Sequence, residues 1–78
     1  MKEFKQLLYG KVSKEKMDLF SKEIELLNKK FDLKESEKIE NNILINWNAG
    51  INKNQIKITD LDKKSENEVL SLFNQICK

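Results

Sequence analysis

Ile43-Leu44-Ile45-Asn46-Trp47-Asn48, Ala49-Gly50-Ile51-Asn52-Lys53-Asn54 and Gln55-Ile56-Lys57-Ile58-Thr59 are the three consecutive runs that decide the fold. Strict alternation in the first run sets Ile43, Ile45 and Trp47 on one face and Leu44, Asn46 and Asn48 on the other, as the two-residue period of a strand requires. The second run is rich in turn formers. The third resumes the alternation, with Ile56 and Ile58 directed inward. An antiparallel hairpin over about 42–48 and 55–60, with a loop wider than the two-residue minimum, satisfies all three.

Upstream of the hairpin the period changes. Met17, Phe20, Ile24, Leu27 and Phe31 recur at spacings of three and four, which places them on one narrow helical stripe. Ser13 stands before this run as an N-cap, so a helix is expected over about 13–31. Leu19 and Leu26 fall off the stripe. Either the N-terminal segment folds back over them with Phe4, Leu7 or Leu8, or they form a second apolar face for a partner. Phe4, Leu7 and Leu8, with Gly10 as a stop, fit a short helix over 2–9, and a strand over Leu7–Val12 competes with it. Residues 32–42 are polar and read as an exposed acidic loop.

Downstream, Ser65 and Glu68 have the spacing of a capping box, and Val69, Leu72, Phe73 and Ile76 form the apolar face of a last helix over about 65–77. The expected architecture is therefore α+β. One domain spans 1–78, in the order α-α-β-β-α, with helices packed on the hairpin. Its expected core is Met17, Phe20, Ile24, Leu27, Phe31, Ile43, Ile45, Trp47, Ile56, Ile58, Val69, Leu72, Phe73 and Ile76.

The residue inventory narrows function. In 78 residues there is no His, no Pro, no Arg and one Cys, Cys77. The commonest general base and metal ligand is absent, the serines have no His to activate them, and one Cys can form neither an internal disulfide nor a Cys-based zinc site. Asp60 and Asp62 lack the Gly and distal Glu of a calcium loop and precede Lys63-Lys64, so they read as turn residues. Cys77, beside the last apolar face, reads as a small, partly buried hydrophobe. No catalytic, metal or cofactor site is expected, and the chain reads as a non-enzyme.

No apolar run is long enough for a membrane span or a signal-peptide core, so a cytoplasmic protein without membrane contact is expected. The net charge is only +2, with 15 Lys and 13 Asp and Glu interspersed. That excludes a basic block for gripping nucleic acid. Lys, Asn and most Ile can be written with A/T-only codons, which points to a low-GC bacterium or one of its phages or mobile elements.

Candidate partner-binding residues are Leu19 and Leu26 on the first long helix, and Trp47, Asn48, Asn52, Lys53, Asn54 and Lys57 around the hairpin. Trp47 belongs to the core if it shares a face with Ile43 and Ile45. A shifted register would turn it outward as an interface anchor. Lys53 and Lys57, with Lys63, Lys64 and the three asparagines, would form a mildly basic rim. Two likenesses bear on function. Ile43-Leu44-Ile45-Asn46-Trp47-Asn48 followed by Ser65-Glu66-Asn67-Glu68-Val69 resembles the small phage-encoded inhibitors of the anti-CRISPR kind. The order of helix, hairpin and last helix also resembles the DinI-like modulators of RecA, although the last helix here carries only Glu66 and Glu68 before turning apolar.

The missing catalytic parts, the A/T-rich coding and the single small domain, with these likenesses beside them, lead to the expectation of a non-catalytic protein-binding module, a phage or mobile-element inhibitor that blocks a host defence or nucleic-acid-processing protein by stoichiometric occlusion. A nucleic-acid-associated regulator using the hairpin and loop lysines is the first alternative. A structural subunit or homodimer held through Leu19 and Leu26 is the second.

Overall fold

The computed structural model describes residues 3–48 and 52–77. Residues 1–2, 49–51 and 78, which include part of the expected hairpin loop, lie outside the described residues. Strands β1 (Phe4–Tyr9), β2 (Ile43–Asn48) and β3 (Lys53–Ile58) and helices α1 (Lys14–Lys30) and α2 (Lys63–Ile76) follow one another as β1-α1-β2-β3-α2. The strands form one antiparallel sheet in the order β1-β3-β2. The α+β class therefore holds, and the expected leading helix does not.

Residues 4–9 are a strand because β3 would otherwise keep one side unpaired. Pairing Phe4 with Ile58 through Tyr9 with Lys53 satisfies that side and places β3 at the centre of the sheet. It also turns Phe4, Gln6 and Leu8 toward the helices. The spacing of Phe4, Leu7 and Leu8 fits a helix equally well, so cross-strand bonding decides the segment rather than local pattern. Asn54, Ile56 and Ile58 are sealed as a result, at 1% exposure or less.

Both helices cover the same face of the sheet. Trp47 lies between them, edge-on to Phe20 of α1 (centroids 5.8 Å apart) and tilted against Phe73 of α2 (5.7 Å). The core centres on Phe20, Ile24, Ile56, Ile58, Val69, Phe73 and Ile76, with Val12, Ile39 and Cys77 also buried. Phe31, expected in this core, lies at the C-cap of α1 outside the main cluster. Its half-buried ring receives the ammonium groups of Lys30 and Lys64, each 5.5 Å from the centroid.

The connection expected to be a plain exposed loop is built instead. Asp32 adopts φ 50 just past α1, while its N–H and that of Leu33 return to the carbonyls of Lys29 and Asn28. This is a Schellman ending. Two short 3-10 turns follow, Glu35–Glu37 and Ile39–Asn41. Buried Asn28 fastens the second: its Oδ1 accepts the Ile39 N–H at 3.0 Å, and its Nδ2 donates to Glu40 Oε1 at 2.6 Å.

At α1 the expected cap is present, with Ser13 Oγ accepting from Lys16 N at 3.3 Å. At α2 it moves upstream. Asp62 is the N-cap and its carboxylate accepts from Ser65 N at 3.4 Å. Ser65 is thus an inner residue of the first turn, and Glu68 reaches Lys30 on α1 (3.6 Å) rather than closing a capping box. A carboxylate three residues earlier starts the helix earlier. Among the described residues no helix is long and apolar enough to cross a membrane.

Candidate functional site

With both helices on one face, no described element covers the other face of the sheet. The register arranges its side chains in rows across β1, β3 and β2: Lys5–Lys57–Leu44, Leu7–Gln55–Asn46 and, from β1 and β3 alone, Tyr9–Lys53. Leu7 is 47% exposed, Tyr9 67% and Leu44 68%. Lys5 and Lys57 stand directly opposite each other, a repulsive arrangement. Glu3 relieves it, with Oε1 at 3.6 Å from Lys5 Nζ and 3.4 Å from Lys57 Nζ. At the other end of the face, Lys53 Nζ lies 6.0 Å from the centre of the Tyr9 ring. The surface joins three apolar side chains to three ammonium groups, one of them stacked on an aromatic.

Of the residues expected at a partner site, the sheet brings Lys53 and Lys57 together on this face. Asn52 is exposed beside it and occupies a turn position with φ 55. The side chain of Asn48 lies outside the described residues. One expectation is corrected: Asn54 is fully buried, its amide donating to the Gly10 carbonyl at 2.8 Å. For Trp47 the core reading holds and the outward alternative does not: it points inward with Ile43 and Ile45 and is held by Phe20 and Phe73.

Leu19 and Leu26 are 48% and 56% exposed. The N-terminal segment does not fold over them, because it belongs to the sheet. They lie on α1, away from the bare sheet face.

Sequence reasoning missed Glu3, Lys5, Leu7 and Tyr9. Their signal was the alternation of Lys5, Leu7 and Tyr9, hidden by the helical reading of the same segment. Cys77 is 4% exposed, and burial pushes its thiol up from its ordinary pKa, with Lys16 pulling weakly the other way. A thiol so placed is a poor nucleophile at neutral pH. Asp62, by contrast, is held below the usual carboxylate range by its hydrogen bond with Ser65, as capping requires.

No family model, curated protein or solved structure matches the chain. The fold and this surface alone define its class: a small α+β protein with an open, three-stranded sheet face.

Proposed function

We propose that the chain is a non-catalytic protein-binding module that acts by occupying a surface of its partner. This is the mode of action implied by its likeness to small phage or mobile-element inhibitors. The observation that carries the proposal is the bare sheet face, with Leu7, Tyr9 and Leu44 exposed together among lysines. Leu7 and Tyr9 on β1 and Leu44 on β2 flank a central polar row of Lys57, Gln55 and Lys53, a mixture of exposed apolar and charged side chains of the kind interaction surfaces carry. The burial of the sole thiol and the absence of His support the non-catalytic half.

A second reading uses the same face for nucleic acid. Lys5, Lys53 and Lys57 share it with the exposed Tyr9 ring, the mixture of charge and aromatic surface that single strands use. Against it stand the lack of Arg and the neutralising Glu3.

Affinity capture from host lysate, with one half treated with nuclease, separates the two. The protein-binding reading predicts one discrete protein recovered equally from both halves. Recovery lost with nuclease, and falling steeply with salt, would replace it with the nucleic-acid reading.

A further inference from the structure

The free edge of β2 makes a second surface, independent of the sheet face. In an antiparallel ladder, alternate residues turn their N–H and C=O toward the neighbouring strand and the rest turn theirs away. The Thr59 N–H donates to the Asn42 carbonyl at 2.9 Å, and these residues continue the β2–β3 register. Leu44, Asn46 and Asn48 therefore bond to β3, and Ile43, Ile45 and Trp47 direct their backbone groups to the open edge. No described residue pairs with these groups.

Natural edge strands are guarded by Lys, Pro, bulges or covering loops. The outward-bonding set of β1 includes Lys5, whereas β2, Ile-Leu-Ile-Asn-Trp-Asn, contains no charge and no Pro. Beside that edge α1 and β2 enclose an open groove of about 310 Å³. Its apolar wall is formed by Phe20 and Ile24 of α1 with Ile43, Ile45 and Trp47 of β2, and among the described residues Glu25 and Glu40 are the charged ones that line it.

We infer that β2 accepts an extended segment of a partner protein as a fourth, antiparallel or parallel strand. The segment's alternate apolar side chains enter the groove, and a Lys or Arg among its flanking residues meets Glu25 and Glu40. The backbone edge supplies the main-chain bonds, and the groove selects the side chains, as in strand addition generally. The acidic lining sets the charge of the occupant.

The test begins with a displayed library of random 12-residue peptides selected on the intact protein, and follows the best binder by amide NMR. The expected consensus alternates apolar residues and carries a basic residue. Adding the peptide should slow exchange of the Ile43, Ile45 and Trp47 amides at least tenfold, and these amides should exchange freely without it, in contrast to Leu44 and Asn46. The Glu25→Lys variant alters an exposed side chain and keeps the bond between Glu40 and Asn28, and selection on it should no longer return the basic residue.

Failure to select any peptide would overturn the inference. So would perturbations confined to Lys5, Lys53 and Lys57, or a consensus unchanged by the charge reversal. Protection of the Ile43, Ile45 and Trp47 amides in the free protein, with light scattering giving a dimer, would assign the edge to a second copy instead. Each of these outcomes removes the edge proposal without removing the sheet-face reading, so the two proposals fail separately.

Discussion

Asn28 carries more of the structure than any other polar side chain in α1. It is 9% exposed and holds the Ile39 N–H and the Glu40 carboxylate at once, and so ties the chain between α1 and β2 to the helix. Ile39, at 0% exposure, is buried through this tie. Replacing Asn28 by Ala leaves a buried N–H without its partner, and the expected loss is about 1–3 kcal/mol in urea unfolding. A loss within error would show that the tie is dispensable. The sequence offered little sign of it. Asn28 lies beside the apolar stripe, and Ile39 is a lone hydrophobe between charged residues, so neither stands out by period. Their meeting depends on the Schellman turn at Asp32, which a non-Gly residue does not announce.

At the scale of elements, termini and edges decide what local pattern leaves open. The long helix was legible because four turns of a 3.6-residue stripe have no competing interpretation. The hairpin was legible only in part: its second strand, expected over about 55–60, runs Lys53–Ile58 and pairs on its other side with β1, because the turn formers Lys53 and Asn54 join the ladder. The first strand was not legible, since six residues suit two periods and only the partner strand chooses between them.

Gly10, where β1 ends, marks a close approach. Its N–H donates to the Asn52 carbonyl at 2.9 Å, its φ is 156, and a Cβ there would run into the Cys77 carbonyl at the end of α2. Gly10→Ala should therefore cost about 1–3 kcal/mol, as backbone must shift. A fall in Tm of several degrees checks it, and an unchanged Tm would refute the contact.

The cap of α2 gives a pH signature. The Asp62 carboxylate is held below its ordinary pKa chiefly by the bond with Ser65. Its contribution is thus present above the unfolded pKa and lost as pH falls through the folded one. Asp62→Ala should cost about 0.5–2 kcal/mol at neutral pH. That difference should shrink toward zero below the carboxylate range, while Asp62→Asn, which caps without titrating, should leave less pH dependence than the parent. A difference constant from neutral to acid pH would mean that the charge is irrelevant to the cap.

The whole molecule is a two-layer object, with both helices spent on one side of the sheet and the core set by Phe20, Trp47 and Phe73. What the other side presents was only half legible. Lys53, Lys57 and Leu44 follow from the alternation of the hairpin. Their neighbours Lys5, Leu7 and Tyr9 come from a distant segment and join them only through the β1–β3 register. Asn54 looked like part of the same polar rim, yet the odd-even phase of β3 buries it.

The central claim is that this face is kept for a protein partner and not for stability. The most direct measurement is capture from host lysate by the wild-type chain and by the triple variant Leu7→Thr/Tyr9→Thr/Leu44→Thr, with the melting temperature of each recorded beforehand. Because all three side chains are exposed, the account predicts that the variant melts within a few degrees of the parent and loses a protein that the parent retains. A folded variant that holds the same protein equally well, or a folded parent that retains none, would contradict it.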